Sequence, residues 1–449
     1  MSALRVRSAP GPEPWRFLGT LLSVHQDRLA FLRDMSRRYG DVTRFHLGTR
    51  EVLLVSGPEA ARHILKTREQ NYRKGMGLSD SWELLGQGLL TSEGALWKAQ
   101  RERLQPLFGP RRVESYVPAM VEETAAMTAR WRRIALAGGS VDLTAEMMRL
   151  TMRILGRTLF GVRFGESLDV IEASMTAAMR HAMTRMIFPA AAWLPTPGNL
   201  RYRRAVARMD RFVQELMSRQ RQDGEGAVDI LSALVGGGVE ALSPGERRQI
   251  RDELVTLIVA GHETTTVLLC WTWVLLAQHP TEWARVRAEV REVLGDGPPT
   301  LQHLSRLQHC RRVLEESMRL YPPVWILPRR AVEDDELCGF PVRAGTDVLV
   351  SPYTLHRHPG SWEAPEEFIP DRFLPGRSSA RSPFAYLPFG LGPRGCIGKS
   401  FGMVEAQCVL ALVTREFRLE LAPGTRLEAE PLLTLRPRHG LRVLPIAGE

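Results

Sequence analysis

Apolar positions along this chain recur mostly at spacings of three and four, broken by a few short stretches of alternation. The first spacing lines one face of a helix and the second one face of a strand. Residues 26–40 read as a first helix, stopped at Gly40. Alternation then predicts two strands, Val42–Leu47 and Glu51–Ser56, joined through Gly48-Thr49-Arg50. Helical spacing dominates from Glu59 to about Leu320. Irregular stretches interrupt it at Arg68–Leu96 and at Met186–Asn199, the latter broken by Pro189, Pro195 and Pro197. Asp223–Leu242 is glycine-rich and reads as a mobile connection. From Pro322 the pattern turns to strands, at Arg330–Asp334, Pro341–Val342 and Asp347–Ser351. A last helix runs from about Ile397 to Glu416, and short strands close the chain. The expectation is a mainly α fold with a smaller β region (α+β). It forms one unit over residues 1–449, β-rich at about 40–58 and 322–352 and helix-rich at about 59–320 and 397–416.

The most apolar stretch, Leu254 to Leu276, is long enough to cross a bilayer. Gly261, His262, Glu263 and three threonines interrupt it too heavily for that, so it reads as a buried helix. With 449 residues, 44% of them hydrophobic, the chain can bury a core and an apolar cavity. Its five cysteines are odd in number and include no Cys-x-x-Cys, which argues against a disulfide framework and a structural zinc site. No apolar run of signal or anchor length lies in Met1–Gly19, so no membrane anchor is expected. A net charge of +10 raises nucleic-acid binding. The arginines are spread over helices without a nucleic-acid motif, so docking of an acidic protein is the better use for them.

Four motifs carry chemistry. In Phe389-Gly390-Leu391-Gly392-Pro393-Arg394-Gly395-Cys396-Ile397-Gly398, glycines allow turns and close backbone approach, and a helix start follows the cysteine. The dipole of that helix is expected to favour a thiolate, one of the few axial ligands proteins give to haem iron. Alone, the motif is equally a structural cysteine after a glycine-rich turn. In Ala260-Gly261-His262-Glu263-Thr264-Thr265, an acid and an alcohol lie mid-helix in apolar surroundings. Thr264 can bond a carbonyl one turn back, and a kink is expected at Gly261. In Glu316-Ser317-Met318-Arg319, the i, i+3 spacing puts acid and base on one face. Pro365 to Phe373, rigid with prolines and aromatics, can deliver Arg372 to the same carboxylate.

These motifs, in this order, resemble the cytochrome P-450 superfamily of haem-thiolate monooxygenases over nearly the whole chain. Pro10-Gly11-Pro12 with Leu18-Gly19 looks like the family's opening segment, and Trp97-Lys98-Ala99-Gln100-Arg101 like its propionate-gripping helix. The resemblance implies haem b between the long central helix and the Cys-loop helix, with Cys396 as axial ligand and Phe389 under the sulfur. It implies propionate contacts from Trp97, Arg101 and Arg394, with Arg329 favoured over its neighbour Arg330. Glu263 and Thr264 become the proton-delivery pair, and Glu316, Arg319 and Arg372 a structural triad. Arg377, Arg381, Lys399, Lys98, Arg103, Arg111 and Arg112 would face a ferredoxin or flavodoxin that brings electrons from NAD(P)H. A soluble bacterial member, cytoplasmic and monomeric, is expected.

By family position, distal-cavity contacts come from Met76, Leu78, Trp82 and Leu85, from Met179, Met183 and Phe188, from Val259 and Ala260, and from Val324, Trp325, Ile326 and Leu433. Nearly all are apolar, which implies a lipophilic small molecule such as a terpenoid, fatty acyl or polyketide skeleton. The methionines at 175, 179, 183 and 186 equally form a core stripe. The implied reaction inserts one atom of O2 into a C–H bond or an alkene. Oxidative coupling or cyclisation, a peroxygenase, and a non-catalytic haem or ligand-binding protein are the other readings. The intact Glu263-Thr264 pair counts against the last two.

Overall fold

A computed structural model describes residues 8–13, 17–78, 82–164, 174–178, 180–181, 194, 196–219, 230–235 and 242–447. Most of Asp223–Leu242 and most of Met186–Asn199 therefore lie outside the described residues. The first predicted helix is Arg28–Tyr39. Asp27 caps it by accepting from the Ala30 N–H, and Gly40 ends it at φ +94°.

Five strands make the main sheet: β1 (Val42–Leu47), β2 (Arg50–Val55), β3 (Tyr72–Lys74), β4 (Leu327–Ala331) and β5 (Asp347–Val350), in the order β1-β2-β5-β4-β3. The β2–β5 pair is parallel and the others antiparallel. Two points depart from expectation. β4 begins three residues before Arg330, taking in Pro328. β3 lies inside the stretch that reads as irregular. β3 pairs only with residues 329–331, so Pro328 sits beyond its end and is tolerated in β4.

Helices supply the larger body. Ser243 and Glu246 form a reciprocal capping box that starts the 35-residue helix Pro244–Gln278 ten residues before its apolar run. That helix is continuously α through Gly261, so the expected kink does not interrupt its helical conformation. The most apolar 18 residues of this span would satisfy a membrane test by length and composition, but 83% of that window is buried. It packs on Leu143–Leu159, Gln308–Leu320 and Lys399–Glu416. Trp271 stacks on Tyr321 with ring centroids 4.0 Å apart. Pro110–Leu136 covers the other side of Lys399–Glu416. Next to the cysteine loop, Phe401 receives Phe108 and Tyr116 edge-on, at 6.4 and 5.8 Å. Each such aromatic pair adds roughly 0.5–1.5 kcal/mol beyond its buried area. The loop thus rests on a stiff base.

Candidate active site

Glycine geometry shapes the cysteine loop. Gly390 and Gly392 hold φ of +64° and +73°, and a Cβ on Gly392 would lie 2.2 Å from the Leu65 carbonyl oxygen. Cys396 N–H donates to the Phe389 carbonyl at 2.8 Å, and Arg101 Nη1 donates to that of Gly395 at 2.6 Å. Phe389 is half-buried, with the Lys399 ammonium 5.9 Å from its ring centre. The sulfur is enclosed by protein, yet Cys396 keeps accessible surface, so it faces a hollow inside the molecule. Burial pushes its pKa up, against the opposing pull of the Gly398 N–H, Arg101 and Lys399. The helix starts at Lys399, two residues later than expected. In the protein alone, helix and neighbouring cations together do not outweigh desolvation at this sulfur. A bound metal cation would supply what is missing.

A cluster of cations lies near the loop. Arg394 donates to the Ser92 carbonyl at 2.9 Å, pairs with Glu93, and lies 3.9 Å over the Trp97 ring. Arg329 is buried, donates to the Pro328 carbonyl, and has its pKa lowered to about 10 by burial. Arg330, on the opposite face of β4, forks onto Asp347 at 2.9 and 2.8 Å. Lys74 is the direct cross-strand partner of Arg329. Burial, with Arg329 and Arg394 nearby, lowers its pKa to about 7. Sequence reasoning missed Lys74 because nothing local marks a three-residue edge strand. Glu93 attracts Lys74, Arg329 and Arg394 alike and Glu69 attracts the two arginines, so three cations share two carboxylates. Thiol, hollow and anion-hungry cations together fit a haem, whose iron takes a thiolate and whose two propionates are anions.

On the long helix, Val259, His262 and Glu263 are buried, while Ala260 and Thr264, one turn apart, keep accessible surface. Thr264 Oγ1 donates back to the Ala260 carbonyl at 2.9 Å. Glu263 Oε1 accepts from the Thr434 hydroxyl at 2.8 Å, a partner no sequence pattern indicated. Its other oxygen lies 3.8 Å from His262 Nε2. His262 Nδ1 donates to the Ile258 carbonyl at 2.7 Å, and burial holds the ring's pKa down, in the neutral form.

The structure brings Glu316, Arg319 and Arg372 together. Arg319 forks onto Glu316 at 2.7 and 2.8 Å, and Arg372 Nε reaches the same carboxylate at 3.3 Å. The Ile369 N–H adds a bond at 2.9 Å. Arg319 also donates to the carbonyls of His356, Pro365 and Glu367, and Arg372 to those of Glu363 and Ala364. This is a saturated buried network tying the helix Gln308–Leu320 to the segment before the cysteine loop.

The cavity residues divide. Leu78, Ala260, Val324, Ile326 and Leu433 keep surface. Met76, Leu85, Val259 and Trp325 are closed into the core, at 0, 1, 4 and 3% exposure, so as open cavity contacts they are corrected. The Trp325 Nε1 donates to the Leu432 carbonyl, which fixes the ring in place. Met175 is likewise core. The Trp82 side chain, Met179, Met183 and Phe188 lie outside the described residues. Of the basic side chains, Lys98, Arg111, Arg377 and Lys399 are exposed. Arg103 is bonded to the carbonyls of Ala233 and Leu234, and Arg381 lies 3.7 Å over Trp362.

Comparison with known proteins agrees with this geometry. The family model described as Cytochrome P450 matches residues 9–443. Cyclooctatin synthase of Streptomyces melanosporofaciens is 34% identical over 442 residues, covering 97% of this chain and 95% of the relative. Pentalenene oxygenase of Streptomyces avermitilis is 31% identical, covering 97% and 96%. A crystal structure of a cytochrome P450DA heme domain superposes with a TM-score of 0.86 at 28% identity, over 98% of this chain and 97% of that one.

Proposed function

The chain belongs to the cytochrome P450 family and is an oxygen-incorporating oxidoreductase, and from that premise we propose that it hydroxylates or epoxidises a terpenoid. One observation carries the assignment of the site. A thiol with open surface lies inside the protein, beside cations that outnumber their two carboxylates, Glu93 and Glu69. Cys396 would hold the iron of haem b, with Phe389 beneath the sulfur. Arg101, Arg329, Arg394, Lys74 and the Trp97 edge would hold the propionates. Bound there, the haem supplies reductive activation of O2, one oxygen atom going to the substrate and the other to water.

The chain's own residues do the rest. Thr264, on the open face of the long helix, presents a hydroxyl that can hand on a proton once it turns from the Ala260 carbonyl. Glu263, adjacent, is the carboxyl from which that proton comes. The apolar rim of Leu78, Ala260, Val324, Ile326 and Leu433 excludes water and orients a lipophilic skeleton by shape. The likeness to cyclooctatin synthase and pentalenene oxygenase supports that substrate class over fatty acyl or polyketide chains. Exposed Lys98, Arg111, Arg377 and Lys399 suit an acidic ferredoxin or flavodoxin, reduced from NAD(P)H. We take the chain to act as a monomer in the bacterial cytoplasm, by its likeness to the Streptomyces relatives.

The test begins with carbon monoxide added to the reduced protein, expected to give the red-displaced Soret band of thiolate-ligated haem. The band should vanish in Cys396→Ala. Polycyclic terpene alcohols are then screened for displacement of iron-bound water by absorbance, and 18O2 turnover should place one label in the product. Intact preparations lacking the band would end this reading.

A further inference from the structure

The carboxyl of Glu263 faces two neighbours on different elements. Thr434 Oγ1 donates to Oε1 from 171 residues away, while Oε2 and the facing His262 Nε2 have no hydrogen-bond partner among the described residues. The His262 ring cannot follow the acid, because Nδ1 is tied to the Ile258 carbonyl on the same helix. Thr434 belongs to the turn between the paired strands Ala429–Pro431 and Leu435–Pro437. That turn is pinned by Trp325 on the Leu432 carbonyl and by Trp271 on that of Leu435, each at 2.7 Å. Between these pins Leu433 keeps open surface. Thr264 is meanwhile bonded to the Ala260 carbonyl. Acid and alcohol are each held by a separate partner.

We propose that Thr434 is a positioning residue that parks Glu263 on this hairpin, so that a substrate lying against Leu433 sets how often the acid is free to serve Thr264. A buried hydroxyl–carboxyl bond biases two side-chain positions by roughly five- to tenfold. A ligand shifts such a balance only if it touches one state more favourably, and Leu433, next to the donor, supplies that contact. The inference rests on reading Glu263 and Thr264 as the proton-delivery pair.

The experiment uses the full-length haem-loaded protein without substrate, with a plant-type ferredoxin and its reductase as surrogate donor. Thr434→Val, close in shape but without the hydroxyl, should raise substrate-free NAD(P)H consumption about fivefold and shrink its solvent deuterium isotope effect. Thr434→Ser should restore both. In a Glu263→Ala background, Thr434→Val should change neither. A second readout needs no turnover: urea midpoints of Thr434→Val, Glu263→Ala and the double variant should be non-additive. Thr434→Ala serves if the valine variant does not accumulate. A wild-type rate in Thr434→Val, an undiminished rise in the Glu263→Ala background, or additive midpoints would overturn the proposal. Failure of the parent reading looks different. Thr264→Ala and Glu263→Ala would then leave peroxide yield and isotope effect unchanged while the midpoints stayed non-additive.

Discussion

Glu405 lies in the helix Lys399–Glu416 with no exposed surface, and neither carboxyl oxygen has a hydrogen-bond partner among the described residues. Burial raises its pKa from the ordinary 4.5 to about 8, and the Thr265 hydroxyl offsets only part of this. The folded state therefore prefers the neutral acid, while the unfolded chain releases the proton first. Stability falls as pH rises above about 4.5, and the loss is complete above about 8. The full penalty is on the order of 5 kcal/mol, of which about 2–3 kcal/mol accrues between pH 6 and 9. Glu405→Gln keeps the shape and removes the titration. Urea unfolding at pH 6, 7, 8 and 9, followed through the ten tryptophans, should show the glutamine variant gaining on the parent by about 2–3 kcal/mol across that range. Glu253, which burial raises to about 7, titrates in the same window, but it is present in both proteins and cancels. Parallel pH profiles for the two proteins would refute the reasoning.

Two further outcomes follow from charge balance. Arg372→Ala leaves one Glu316 oxygen with fewer donors inside a buried network. It should cost roughly 3–5 kcal/mol and lower haem content per chain in purified protein, read by absorbance against protein concentration. Lys74→Met should act with opposite signs in two states. Haem-depleted protein should gain roughly 1–3 kcal/mol in urea, because a cation short of anions is removed. Haem-loaded protein should lose haem to apomyoglobin several-fold faster, because a propionate partner is lost.

Legibility in the sequence followed how local each signal was. The cysteine loop reads directly, because its glycines are required where they stand: Gly392 sits at φ +73° against the Leu65 carbonyl. Glu316 and Arg319 read from helical spacing, and Arg372 from the rigid segment that carries it. Long-range register did not read. Lys74 faces Arg329 only because a three-residue strand pairs there, inside a stretch with no periodicity. Thr434 meets Glu263 only because a hairpin far along the chain reaches the middle of the long helix. Met76 and Trp325 show the converse error. Their family position suggested cavity contact, but their apolar bulk is closed into the core under β1 and β2.

The buried polar groups themselves separate structure from function. Glu316 with its two arginines, and Asp335 with His63, Tyr72 and Asn71, are surrounded by donors and close on themselves. Such sets specify a fold and leave nothing over for a ligand. Other groups are short of partners: the cations of Lys74 and Arg329, one oxygen of Glu263, and the facing nitrogen of His262. Each incomplete group costs stability that a chain selected only for folding would recover with an apolar side chain. Buried groups without partners occur elsewhere too, Glu405 among them, but these four fall in two places. The cations sit by the Arg394 of the cysteine loop, and the buried acid and imidazole sit next to Thr264 on the long helix. Local rules fail together where something outside the chain completes them. We propose that for the cations this is a pair of anions carried by a flat ligand, and for Glu263 a proton acceptor that arrives with dioxygen.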